Sequence, residues 1–347
     1  MNNAISSIID RKSSSAIKGL LIFLIVLGHC GLLMRNPVTE ERRILYHYFY
    51  SFHVYCFFIL PFLYGYIRKN SKGLLNVKND IYKNFVKLYI PYIWICAICY
   101  LIYMTIAHGE ASIGETLQAF ITGECSLLGS GVGFGFPWFL PTMFIVLVLY
   151  SIWQNTEIKW IKVVILLISI LCWVCITLKG ISFFIMISQH VPFSILQGFR
   201  CFFLGYVTFS IISHVKSAKI SVAYISVFVL LSLSFFLSKV GIINVKQSVF
   251  LLVMPISAFC FLYGIRGILS KSRFLVLLGE HSFGIYLCHV IILNIFTTIL
   301  SHFGVGIGIV PGLVVFALSL SLSFGLTLLL DRMPKVKGIL FPQVKKT

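Results

Sequence analysis

Apolar runs long enough to cross a lipid bilayer recur along almost the whole sequence, and nothing constrains its fold more. A helix rises about 1.5 Å per residue, so about 30 Å of hydrocarbon takes about 20 mostly apolar residues. Such runs are read at 17–35, 44–67, 84–107, 138–153, 160–178, 191–212, 220–238, 247–265, 281–300 and 309–331. Inside lipid each backbone N–H and C=O must be paired within its own segment, which leaves α-helices for runs of this length. The expected fold is therefore all-α, a polytopic transmembrane helical bundle of about ten spans. Hydrophobic residues make up 59% of the 347 residues, charged residues 11%, and mean hydropathy is +0.98, more apolar surface than a soluble core hides.

The formal net charge of +18 invites a nucleic-acid reading, but its distribution answers to topology instead. With the N-terminus in the cytoplasm and the connectors assigned alternately, 21 of the 28 basic residues fall inside. Six fall outside (Arg35, Arg42, Arg43, Lys179, Lys239 and Lys246), and Arg200 alone falls within a span. An odd number of spans would put the C-terminal basic cluster outside, so the bias predicts both termini in the cytoplasm (N-in/C-in) and no nucleic-acid partner. The first apolar run is as long as a full span and no A-x-A-like site follows it, so no cleavable signal peptide is expected.

The chain reads as one integral-membrane domain, 1–347, with four features outside the spans. These are a cytoplasmic N-terminal tail (1–16), a basic cytoplasmic connector (68–83), a Gly-rich outer loop (108–137) and a cytoplasmic C-terminal tail (332–347). The basic connector suits anionic lipid headgroups or a phosphorylated soluble molecule. The ten cysteines sit almost all within spans, including the pairs Cys96 with Cys99 and Cys172 with Cys175. Closed zinc sites need four ligands with polar surroundings, so no metal is expected.

Ionisable side chains placed in spans carry more information, because insertion of one costs about 2.5 kcal/mol or more. They are His29, His53, Arg200, Glu280 and His289. Glu280 lies near a cytoplasmic end, where snorkelling or pairing with Arg273 accounts for it. Lys18 and His29 are eleven residues apart, about 20° past three full turns and about 16 Å of rise, so they share one helix face. The plain alternative is a topology anchor below a hydrogen-bonded buried histidine. His53, on the antiparallel second span, sits at a depth similar to that of His29, and two imidazoles facing one cavity suit acid–base work near neutral pH. Ser282, Tyr286 and His289 follow i, i+4, i+7 as a polar stripe on an apolar helix, the signature of either a site or interhelical hydrogen bonding. Gln197 and Arg200 form a second polar patch, and a buried guanidinium calls for a cross-bundle or anionic partner.

Several segments, in order, resemble the membrane acyltransferase-3 family of O-acyltransferases. KGLLIFLIVLGH is similar to its basic-residue-x10-His signature at Lys18 and His29. SFHVYCFFILPFLYGYIRK resembles its F-H-x-P-x-F-F-x-x-S-G segment at His53 and Gly65, and KNFVKLYIPYIW its basic stretch before proline at Lys87 and Pro91. WFLPTMF matches W-F-L through Trp138, RCFFLGY resembles F-F-x-G-Y, and LGEHSFGIYLCH is similar to G-x-x-S-x-x-I-Y-x-x-H at Ser282, Tyr286 and His289. The chain departs from the pattern at Tyr55 and Tyr64, which replace a proline and a serine, and at Lys18 and Lys87, which stand for arginine. Lysine keeps the charge but loses the bidentate fork that grips phosphate.

The resemblance implies transfer of an acyl group, usually acetyl from cytoplasmic acetyl-CoA, to a hydroxyl of a cell-surface saccharide such as O-antigen, the acceptor being lipid-linked or polymeric. It implies a multi-pass protein of the bacterial inner membrane, in contact with membrane lipids. His29 is the expected general base or acyl relay, with His53 and His289 beside it as catalytic candidates. Lys18, Arg68 and Lys87 are the expected contacts for coenzyme A phosphates, and Arg200, Trp138, Tyr286 and Ser282 for the acceptor. A transporter or flippase for a saccharide or other small substrate uses the same intramembrane His and Arg residues, although no convincing inverted repeat is visible. A non-catalytic scaffold accounts for the topology but leaves the Lys18 and His29 pattern as coincidence.

Overall fold

The computed structural model describes residues 8–29, 40–63, 74–106, 138–178, 191–214, 218–243, 247–304 and 309–342. In chain order the helices are α1 (Arg11–His29), α2 (Glu40–Tyr50), α3 (His53–Leu63), α4 (Leu74–Asn84), α5 (Ile90–Ile106), α6 (Phe139–Asn155), α7 (Lys159–Leu178) and α8 (Phe193–His214). They continue as α9 (Ala218–Lys239), α10 (Gln247–Gly264), α11 (Arg266–Leu269), α12 (Arg273–Glu280), α13 (Ser282–His302), α14 (Ile309–Asp331) and α15 (Pro334–Leu340). A π-helical turn, Phe85–Tyr89, joins α4 to α5. No strand occurs among the described residues.

Wherever the expected apolar runs are described they are helical, apart from a turn at Ser51 and Phe52 and single residues at their ends. Four described helices are long and apolar enough to cross a membrane by themselves: Arg11–His29, Ser194–His214, Val222–Lys239 and Ile309–Asp331. A fifth is reached if α12 and α13, bent by 80° where they meet, form one broken span. On α9, Val222, Val227, Val229, Leu230 and Leu233 are exposed, a surface that lipid rather than water would cover. Serine and threonine are accommodated in these apolar helices by bonding back one turn: Ser169 Oγ to Ile165 O, Thr208 Oγ1 to Leu204 O and Thr327 Oγ1 to Ser323 O, each at 2.7 Å.

Several boundaries differ from the sequence expectation, each for a local reason. Helix α1 starts at Arg11, inside the expected tail 1–16, because Asp10 caps it: its Oδ1 accepts the Ser13 N–H at 2.8 Å. The Ser13 side-chain and backbone bonds hold the Asp10 carboxyl below its usual range. The run expected at 44–67 is interrupted by a turn at Ser51 and Phe52, where Ser51 Oγ donates to Tyr48 O at 2.6 Å. Pro61 and Pro255, by contrast, lie within α3 and α10 without ending them. The basic connector is helical over its described residues, which belong to α4, and the C-terminal segment contains the short helix α15. The Gly-rich loop 108–137 lies outside the described residues.

The chain divides into two compact units, Met1–Gly65 with Leu204–Arg332, and Tyr66–Phe203 with Met333–Thr347. In the first, α1 packs on α3, α12, α13 and α14, and α10 packs on α3 and α9. Its apolar core includes Leu21, Cys56, Ile59, Leu63, Phe235, Met254 and Phe259. In the second, α4 lies along α6, where Ser151 Oγ donates to Asp80 Oδ2 at 2.9 Å.

The tightest contact in the first unit is the crossing of α1 and α12. A Cβ on Gly19 would stand 1.9 Å from Leu275 O, and one on Gly279 only 1.7 Å from Ser15 O. The helices therefore touch backbone to backbone, which only residues without a Cβ at the crossing permit. Farther along, Gly284 at the start of α13 admits Thr327 of α14, and His281 Nδ1 lies 3.5 Å from Asp331 Oδ2 across the bend. Gly19→Ala or Gly279→Ala is expected to lower stability by about 1–3 kcal/mol, the range for overpacking. Gly325→Ala, with nothing near its new methyl group, should leave the protein unchanged or slightly more stable. Thermal unfolding of the detergent-purified variants checks both.

Candidate functional site

The α1/α12 crossing sets up a cluster of imidazoles. His29 is the last residue of α1 and His289 stands in the second turn of α13, with their ring centroids 5.5 Å apart and the planes tilted by 49°. His53 opens α3, directly after the Ser51 and Phe52 turn, and is fully buried, as is His289. Tyr50, the last residue of α2, stands between His29 and His53. Its hydroxyl lies 3.3 Å from His29 Nδ1, and its ring meets His53 edge-on at a centroid distance of 4.7 Å.

The backbone fixes two of the three rings. His289 Nδ1 donates to Tyr286 O at 2.7 Å and shares Ile285 O at 3.1 Å, and His53 Nδ1 donates to Phe49 O. A carbonyl only accepts, so in each neutral ring the proton sits on Nδ1 and the lone pair on Nε2. His53 Nε2 is buried and makes no hydrogen bond to the described residues. The Nδ1 of His29 faces a hydroxyl, which donates or accepts, so His29 is the ring of the three whose tautomer the backbone leaves open. Among the described residues no three His, Cys, Asp or Glu side chains are grouped to hold a metal ion.

Other expected residues take definite places. Lys18 is half-buried on α1, and the helix runs unbroken from it to His29, which keeps the two on one face. Ser282 and Tyr286 are buried on α13, with the Tyr286 ring 5.9 Å from that of His289, so the i, i+4, i+7 stripe exists and lies inside the first unit. In the second unit, Arg200 is 3% exposed and its Nη1 donates to Gln197 Oε1 at 3.4 Å. Trp138 directly precedes α6, and Lys87 projects from the π turn with its side chain exposed. Arg68 lies outside the described residues. Glu280 is exposed at the end of α12.

Two members of the cluster were not singled out from the sequence. Tyr50 was hidden because a continuous helix through 44–67 gives no reason to single out one of its many aromatic residues. Gly28 was hidden beside its histidine: a Cβ there would lie 3.2 Å from Tyr50 Cε2 and 3.7 Å from His53 Nε2. The spacing Gly28-His29 in one motif and Tyr50-x-x-His53 in the next is the signal that pairs them.

The acyltransferase-3 family, described as an acyltransferase domain, matches residues 11–332. No curated protein and no solved structure matches the chain. The proximity of the first and ninth expected spans is directly testable. In a background without native cysteines, His29→Cys with His289→Cys should be joined by a short bifunctional thiol reagent. His29→Cys with Ile299→Cys, an exposed position farther along α13, should not. Mobility after proteolytic cleavage between the two sites is the readout.

Proposed function

The chain belongs to the acyltransferase-3 family, and from that premise we propose that it is a multi-pass O-acetyltransferase of the bacterial inner membrane, with about ten spans and both termini in the cytoplasm. It moves acetyl from cytoplasmic acetyl-CoA to a hydroxyl of a cell-surface saccharide of the O-antigen type. The observation that carries this reading is the meeting of His29 and His289, from two motifs 260 residues apart in sequence, with Lys18 on the same face of α1 as His29. Such a face joins a cation at one end to a proton acceptor about 16 Å farther on, a span that an extended pantetheine arm bridges.

In this reading the acceptor oxygen attacks the thioester carbonyl carbon while its proton passes to Nε2 of His29. The C–S bond then breaks, and the departing sulfur takes that proton to leave as free coenzyme A thiol. A hydroxyl is a weak nucleophile at neutral pH, and a well-placed base contributes about 10²–10⁴-fold to such a step. His53 and His289, each with Nδ1 committed to the backbone, present Nε2 as an acceptor to the incoming hydroxyl or to His29. Lys18 receives phosphate of the donor; motif order assigns the same task to Lys87 and Arg68, and contact with the acceptor to Arg200, Trp138, Tyr286 and Ser282. Lysine in place of arginine makes these phosphate contacts point-like, and the donor is held by several of them.

The division of labour is tested with purified variants. Lys18→Ala is expected to weaken coenzyme A binding at least tenfold, whereas His29→Ala still binds coenzyme A and loses about 10²–10⁴-fold in turnover. Unchanged coenzyme A affinity in both Lys18→Ala and Lys87→Ala would contradict the donor assignment. Acetyl trapped covalently on a histidine would contradict direct transfer.

A further inference from the structure

Tyr50 belongs to no motif discussed above, yet it is the side chain most firmly built into the histidine cluster. Its ring stacks on Tyr46 at 4.1 Å with planes 29° apart, and it meets His53 edge-on at 4.7 Å. It also lies against α1 where Gly28 has no side chain. These contacts hold the phenol from several directions, so its oxygen has one place to be: 3.3 Å from Nδ1 of His29. The other two imidazoles have their tautomers set by backbone carbonyls. His29 ends its helix, and a side-chain oxygen takes the place that a carbonyl holds in the other two.

We propose that Tyr50 is a positioning residue for His29, its hydroxyl oxygen accepting the Nδ1–H of His29 and so holding the ring in the tautomer whose Nε2 carries the lone pair. The inference rests on the reading of His29 as base. Before reaction, Nδ1 of His29 is protonated and Nε2 is bare. When the acceptor's proton arrives on Nε2 the ring becomes an imidazolium, and its Nδ1–H bond to the Tyr50 oxygen becomes charge-assisted and stronger. When that proton passes on to the sulfur, the original tautomer is restored with Tyr50 unchanged. The phenol thus acts on the transition state through His29, without touching either substrate.

Two measurements on the full-length protein in lipid bilayers test this. The first is solid-state NMR of protein labelled with nitrogen-15 histidine, with His29 assigned by difference from His29→Ala. Its signals should be those of a ring protonated at Nδ1 and bare at Nε2, and Tyr50→Phe should turn them into a mixture of both tautomers. The second is acetyl transfer from acetyl-CoA to purified O-antigen polysaccharide. Tyr50→Phe should lower kcat about 10- to 100-fold at unchanged KM for acetyl-CoA, the loss of one hydrogen bond to a charged group. Tyr50→Leu should lower it at least as far. A packing role alone predicts rescue by phenylalanine, so wild-type kcat in Tyr50→Phe would overturn the proposal. A His29 spectrum that Tyr50→Phe leaves unchanged, or one bare at Nδ1 in the wild type, would overturn it as well. Wild-type turnover in His29→Ala would instead remove the base reading, a result separate from where the His29 proton sits.

Discussion

The contact on which the site depends is the backbone-to-backbone crossing of α1 and α12 at Gly19 and Gly279. Glycine in the middle of a helix costs about 0.5–1 kcal/mol relative to alanine, so these positions weaken the helices that carry them. Here they allow a separation that no side chain would permit. From the crossing, each strand of the argument runs ten residues: Gly19 to His29 along α1, and Gly279 round the bend at His281 to His289 on α13. Fixing the helices at one point fixes where the two imidazoles meet. The His281 pairing with Asp331 and the Gly284 seat for Thr327 hold the bend against α14, so the second path is as constrained as the first.

The site built on that crossing follows from the chemistry of placing imidazoles in an apolar interior. A buried ring needs a partner for its N–H, and in a helix the nearest acceptors are carbonyls one turn earlier. His53 and His289 take that solution, bonding to Phe49 and to Tyr286 with Ile285. Each thereby turns a basic nitrogen towards the cluster. His29, at a helix end beside Tyr50, is held by a group that tolerates a change in its protonation. Membership in an acyltransferase family gives such a ring a task, accepting and returning one proton during transfer between oxygen and sulfur.

How much of this was legible follows from the range of each interaction. Helix positions were legible, because hydropathy over about 20 residues is a property of the segment itself, and α14 runs over the residues expected, 309–331. The Lys18 and His29 face and the Ser282, Tyr286, His289 stripe were legible for the same reason: helical periodicity is local. The turn at Ser51 was not, since it depends on one side chain competing for a carbonyl within an otherwise apolar run. Nor was the start of α1, where three serines read as a polar tail but are buried. The Gly19 and Gly279 pair, more than 250 residues apart, was out of reach, because a single sequence does not say which glycine meets which. Tyr50 depended on both failures, on the turn that ends its helix and on the glycine that makes room for it.

The central claim is that this cluster carries acetyl transfer and not passage of a solute. The most direct test is a single measurement on purified wild-type protein supplied with acetyl-CoA and O-antigen polysaccharide: free thiol released, counted against new ester on the polysaccharide. The account predicts one ester formed for each thiol released, with both dependent on the protein. Thiol and ester yields no higher than in the protein-free control, from folded protein that binds coenzyme A, would contradict it.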